Sequence, residues 1–225
     1  MGLVHNIIME GYMDYEKLDY GMIDQFFLKG ELSILAGIPF VGKTFFVNHL
    51  TQVLAQHGER VLYFCLEPYT TEQKERLDNA GIRPRVVDIP ASSIEDVLYL
   101  VNQKKYDALV IDYVQLMDFV SYIHCFTRDE ELKAIWHILD DLAKEKEIRV
   151  IGVSQLGGEC TIDGSEETIP EDCMEYLNRD FLAKHLRVIH RPNYFKGEND
   201  TEAKQPIHLI THFINSPSAY PTVYL

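Results

Sequence analysis

Cysteine is scarce in this chain, and the four present, Cys65, Cys125, Cys160 and Cys173, form no C-x-x-C pair. Cys65 stands inside a strand-like run and reads as a reduced core thiol. The simplest account is a cytoplasmic protein without structural disulfides. Long apolar runs are also missing. None reaches the roughly 18 residues needed to cross a membrane, and no basic region followed by a hydrophobic stretch opens the chain. There is no internal repeat and no low-complexity linker, so the 225 residues are expected to form one domain with a full core. Positive charge is in short supply. Lysine and arginine number 21 against 35 acidic residues, a net charge of −14. DNA affinity normally rests on a basic surface, and no Lys/Arg cluster of that kind is visible. This argues against tight general DNA binding.

What the chain does have is the string Gly37-Ile38-Pro39-Phe40-Val41-Gly42-Lys43-Thr44, the phosphate-loop pattern G-x-x-x-x-G-K-[ST]. Glycines at its first and sixth positions let the backbone curl so that successive N–H groups point inward as an anion nest. Lys43 would reach the β- and γ-phosphates of a nucleoside triphosphate, and the Thr44 hydroxyl would hold Mg²⁺. The loop follows a strand-like run, Glu31–Ala36, and opens a plausible helix from Lys43 through Phe45 to Gln56, ended by Gly58. Phosphate would thus sit at a helix N-terminus, where orphan amides favour negative charge.

Beyond the loop, strand-like and helix-like segments alternate. Strands are predicted at Arg60–Leu66, Arg85–Ile89, Ala108–Ile111, Val150–Val153, Leu186–His190 and Ile207–Phe213. Thr70 with Gln73, and Ser92 with Glu95, read as capping boxes opening helices. Ile94, Val97, Leu98 and Val101 fall on one helical face. Asp129 to Lys146 is a long amphipathic helix with Leu132, Ile135, Trp136, Leu139 and Leu142 inward. This alternation, with strands apolar on both faces, predicts an α/β fold: a mostly parallel sheet with helices on both sides.

Three polar residues close predicted strands. Asp112 ends Ala-Leu-Val-Ile-Asp, the form of a Walker B element, where a carboxylate can hold the Mg²⁺ shell opposite Thr44. Glu67 ends Val-Leu-Tyr-Phe-Cys-Leu-Glu and could polarise the water that attacks a γ-phosphate. Gln155 follows Val150-Ile-Gly-Val-Ser154 and could sense that phosphate. Ligands of open α/β sheets bind at the carboxyl ends of strands, where all three would lie.

Gly30 to Thr44, Phe64-Cys-Leu-Glu67, Val110-Ile-Asp-Tyr-Val-Gln-Leu-Met117 and Val153-Ser-Gln-Leu156 together resemble the ATPase domain of DnaB-type replicative helicases, a RecA-like branch of P-loop ATPases. The likeness runs from about residue 10 to the C-terminus and is densest from 30 to 156. It implies a single RecA-like domain over residues 1–225, with a lead-in over 1–29 and a loop over 157–180. It also implies ATP and Mg²⁺ as cofactors. Lys43 and Thr44 would bind triphosphate and metal, Glu67 would be the hydrolytic base, Asp112 the Walker B acid, and Gln155 the γ-phosphate sensor.

Departures from that family bear on motor function. With Met1 to about Glu10 ahead of the core, the linker helix that docks on a neighbouring subunit is expected to be absent. The family's Lys-x-Arg finger corresponds to His212 and Ile214 in His212-Phe-Ile-Asn-Ser-Pro217. The DNA-facing loop corresponds to Glu171–Tyr176, with Met174 in place of an arginine. Between Gly157 and Asp180 the acids are Glu159, Asp163, Glu166, Glu167, Glu171, Asp172, Glu175 and Asp180, and Arg179 is the one base. Such a stretch would repel a phosphate backbone. His185 with His190, or His208 with His212, could be nominated for a metal, yet none has zinc-like spacing and alternating strand positions explain them. Tyr12, Tyr15 and Tyr20 could stack on nucleobases but read as core packing.

Two readings follow. One is a Mg-dependent ATPase of the helicase type, with hydrolysis intact, translocation in doubt and a link to DNA replication or repair. The other is a non-motor nucleotide-binding protein whose ATP occupancy regulates a protein partner. A homo-oligomer stays open, single-stranded DNA is disfavoured by charge, and no membrane is involved. A small-molecule kinase ranks last, because it would need an acceptor pocket and an arginine-bearing lid, and the run after Asp112 is short and nearly free of arginine, Arg128 excepted.

Overall fold

The computed structural model describes residues 18–39, 41–66, 93–120, 127–156, 185–190, 208–213 and 222–223. Seven strands form one sheet: β1 (Leu32–Gly37), β2 (Val61–Cys65), β3 (Ala108–Asp112), β4 (Arg149–Gln155), β5 (His185–His190), β6 (His208–Phe213) and β7 (Thr222–Val223). Their order is β2-β3-β4-β1-β5-β6-β7. The first five run parallel, and β6 and β7 add antiparallel at one edge. The described helices are α1 (Tyr20–Phe26), α2 (Lys43–Gln56), α3 (Ile94–Gln103) and α4 (Arg128–Lys146), with a 3-10 turn at Val114–Leu116.

Every residue of β1 and β3 is buried. Strands covered on both faces read as continuous apolar runs rather than alternating ones, as these do. Gly152 of β4 shows how closely α4 approaches: a Cβ there would run into the Trp136 ring. Gly37 opens on the other face, where an added Cβ would meet Lys43 Cδ of α2 at 3.4 Å. Gly152 pairs with Ile34, three residues before Gly37, so strand alternation places α2 and α4 on opposite sides of the sheet.

Local signals set the helix ends. Thr127 caps α4, its side chain accepting from Glu130 N while Glu130 accepts from Thr127 N. Asp129, Glu130 and Glu131 fill the first turn and Lys144 and Lys146 the last, matching the helix dipole. α3 starts one residue later than its sequence suggests. Its capping box is Ser93 with Asp96, not Ser92 with Glu95. The tandem serines and acids fit either phase, and Ile94 N donating to Asp118 O at 2.9 Å selects the one that buries Ile94, Val97 and Val101. The strand at 85–89 and the helix opened by Thr70 lie outside the described residues, as do Glu67, Phe40, Ile214 and all of 157–180.

Under the amino ends of the strands, Arg149 ties α1 to the sheet. Its guanidinium binds Glu59 at 3.2 and 3.3 Å, Asp24 at 2.6 Å and the Phe27 carbonyl. Tyr20 donates to Glu59 at 2.8 Å and stacks on His57 with ring centroids 4.6 Å apart. Tyr20 is therefore a packing residue. No described helix is long and apolar enough to cross a membrane.

Candidate active site

At the carboxyl end of β1 the chain turns through Ile38, Pro39, Val41 and Gly42 and enters α2 at Lys43. Both loop glycines answer a backbone demand. Gly42 is left-handed, with φ 105° and ψ 20°, a region a Cβ disfavours. Gly37 has no room for one: it would lie 2.9 Å from Val41 Cγ1 and 3.0 Å from the Ile189 carbonyl oxygen. Lys43 is buried and folds back, Nζ donating to the Ile38 carbonyl at 2.8 Å. The ammonium thus lies against the loop's own backbone. Thr44 is half-buried and Phe45 exposed in the first turn of α2, a 14-residue helix with no side-chain cap on its amides. A nest closed to side chains, open helix amides and a lysine fit a polyphosphate.

The sheet brings Asp112 and Gln155 to this end. Gly37 pairs directly with Gln155, and Ile111 pairs with Gly152. β4 therefore stands between β1 and β3, and two inter-strand steps of about 4.8 Å with a stagger of about two residues set the ends of β1 and β3 roughly 12 Å apart. Asp112 closes β3, is 1% exposed, and accepts a hydrogen bond from the Tyr63 hydroxyl at 3.2 Å. Gln155 closes β4. The backbone leading to Glu67 is described as far as Leu66, whose N–H donates to Asp112 O at 2.7 Å.

A buried carboxylate at the end of β3 and a helix-opening threonine after β1 offer the hard-oxygen chemistry that suits Mg²⁺. His, Cys, Asp and Glu do not gather in threes among the described residues. The nominated histidines fall on β5 and β6, with His190 opposite His208 and Leu186 opposite His212.

Sequence reasoning passes over three residues around this site. Tyr63 reads only as part of an apolar strand, although it sits two residues before the strand end on the neighbour of Asp112. Gln115 enters only as a letter of a motif, and its carboxamide grips Ser154 and Gln155. Arg128, outside the predicted helix, donates to the carbonyls of Gln115 and Met117, each at 2.7 Å.

The model of the DnaB-like helicase C terminal domain matches residues 85–212, more than half of the chain. This chain belongs to that family. The probable replicative DNA helicase of Trieres chinensis is 26% identical over 236 residues, covering 89% of this chain and 50% of that protein. The DNA repair protein RadA of Chlamydia trachomatis is 26% identical over 135 residues, covering 59% and 30%. A solved DnaB-like replicative helicase, described with its interactions with primase, superposes with a TM-score of 0.64 at 17% identity, covering 89% of this chain and 57% of that one. The fold is accordingly that of RecA-like ATPases. The chain spans about half the length of the helicase relatives it matches.

Proposed function

We propose that this member of the DnaB-like family binds Mg·ATP in the Gly37–Thr44 loop and hydrolyses it slowly, in the service of DNA replication or repair. The observation that carries the reading is the loop itself. Gly37 and Gly42 are both demanded by the backbone, and Lys43 is folded into the same turn at the end of a buried strand.

In this reading residues 1–225 act as one ATPase domain. The loop amides and Lys43 bind the β- and γ-phosphates. Thr44 and Asp112 would hold Mg²⁺, which neutralises phosphate charge when bound. Glu67 takes a proton from the attacking water, and Gln155 contacts the γ-phosphate. An arginine finger is typically worth about 10³–10⁵ in rate, and His212 and Ile214 stand where the family's basic pair would be. Slow turnover follows unless a partner supplies the charge.

That same substitution, with the acidic composition of residues 157–180, supports a second reading: a non-motor nucleotide-binding protein whose ATP occupancy regulates a protein partner. Turnover of ATP with and without single-stranded DNA at low salt, with Lys43→Ala and Glu67→Gln as controls, separates the two. Lys43→Ala should abolish nucleotide binding, whereas Glu67→Gln should bind and not turn over. DNA-stimulated turnover lost in Glu67→Gln supports the motor. Tight binding with negligible turnover supports the switch. Equal ATP binding by Lys43→Ala would overturn the phosphate-loop assignment.

A further inference from the structure

β4 outruns its neighbour. Gln155 is still paired with Gly37 on the β1 side, while β3 has stopped at Asp112, three residues short of Gln115. Along a strand the N–H and C=O of one residue point toward one side and those of the next residue toward the other. Leu156 N donates to Gly37 O at 3.0 Å, on the β1 side. The N–H and C=O of Gln155 therefore face the gap left by β3.

The Gln115 side chain fills that gap. Its Oε1 accepts from Gln155 N at 3.3 Å, and its Nε2 donates to Gln155 O at 3.1 Å and to Ser154 Oγ at 2.6 Å. A carboxamide has one acceptor and two donors, and the N–H on the same side as its oxygen lets one group satisfy both the N–H and the C=O that the missing strand leaves unpaired. Gln115 is itself held. Arg128 Nη2 donates to the carbonyls of Gln115 and Met117, and Glu131 accepts from Arg128 Nη1 at 2.6 Å and from Phe119 N at 2.8 Å. The clamp thus runs from the first turn of α4, through the turn after Asp112, to the backbone of Gln155.

We propose that Gln115 is a positioning residue for the γ-phosphate response: it acts through Gln155, fixing the backbone from which that side chain reaches the nucleotide. The inference rests on the ATP reading and on Gln155 as its sensor. It makes a demand that mere structural support does not. Loss of the clamp should lower the preference for triphosphate over diphosphate, since the loop amides still hold the phosphates common to both.

The test compares affinities for a non-hydrolysable ATP analogue and for ADP in wild type, Gln155→Ala, Gln115→Ala, the double variant and Lys43→Ala, each with a thermal melt. Gln115→Glu, nearly the same shape, can accept from Gln155 N but presents an acceptor to Gln155 O, and it serves if the alanine variant does not fold. The expected result is a drop of about tenfold in the ATP-to-ADP affinity ratio for Gln155→Ala and for either Gln115 variant, with no further drop in the double. Lys43→Ala should abolish binding of both nucleotides. An unchanged ratio in folded Gln115 variants alongside a reduced one in Gln155→Ala overturns the clamp and leaves the ATP reading standing, as do additive losses in the double. Absence of nucleotide binding by wild type overturns the ATP reading itself.

Discussion

Tyr63 donates its hydroxyl to Oδ2 of Asp112 across 3.2 Å, from β2 to the end of β3. The bond is buried, and it fixes which way the carboxylate is turned. Outer hydrogen bonds to a metal-binding carboxylate are commonly worth about 10–100-fold in metal affinity. Tyr63→Phe keeps the ring and removes the bond. The Mg²⁺ concentration for half-maximal ATP turnover should therefore rise about tenfold, with ATP binding in the absence of Mg²⁺ unaltered. A Mg²⁺ titration that superposes on wild type would mean that this bond does not tune the metal site proposed at Asp112.

The loop glycines give a graded prediction. Gly58, with φ 83° and nothing within 4 Å of an added Cβ, lies past the far end of α2 and isolates the cost of left-handed backbone. Gly58→Ala should destabilise by about 1–2 kcal/mol and leave nucleotide affinity intact. Gly42→Ala bears the same kind of strain inside the nest, so affinity should fall as well. Gly37→Ala is worse. Its Cβ meets the backbone oxygen of Ile189, which cannot step aside without moving β5. Its ATP dissociation constant should rise more than tenfold, measured by titration calorimetry on protein whose melt confirms folding.

Much of this architecture is legible in the residues. The phosphate loop, the strand runs and the long helix each carry a local pattern, and α2 begins and ends where Lys43 and Gln56 suggest. The phase of α3 is hidden because Ser92-Ser93 with Glu95-Asp96 offers two equivalent boxes, and only the contact with Asp118 decides between them. Tyr63 and Gln115 escape notice for a related reason. Their partners lie 49 and about 40 residues away, so no window of sequence contains both halves of either bond. Arg149 and Arg187 look like surface charges within short strands. Their burial follows from strand order, which local sequence does not encode.

Acid should act through Glu59. Burial alone would raise its pKa, but hydrogen bonds from Arg149, Tyr20 and Lys29 outweigh it and hold the carboxyl below the usual glutamate value. A depressed carboxyl pKa contributes stability above the unfolded-state value, and that contribution is lost as pH falls through the folded value. Breaking a buried pair from one side costs roughly 3 kcal/mol. Glu59→Gln should thus be destabilised by about that amount at pH 7. Its deficit against wild type should shrink below about pH 4, as wild type loses the same charge. Urea unfolding across pH gives both curves, and superposed curves would mean that the charge of Glu59 adds nothing to stability.

Arg187 presents the opposite case. It is 3% exposed, stacks over Phe27 with 4.9 Å from Cζ to the ring centroid, and its Nε and Nη1 find no hydrogen-bond partner among the described residues. Burial lowers its pKa to about 10, against the attraction of Glu31. A guanidinium whose burial outweighs its partners carries a desolvation cost, and a well-packed apolar replacement is then commonly stabilising. Arg187→Met keeps the unbranched apolar stem beside Phe27 and removes the buried charge. Its melting midpoint should rise by about 2–4 °C per kcal/mol gained. Arg187→Lys should fall, because a compact ammonium is more strongly hydrated and cannot lie flat on the ring. A lower midpoint for Arg187→Met than for wild type would mean that the cation is worth more to this sheet than its burial costs.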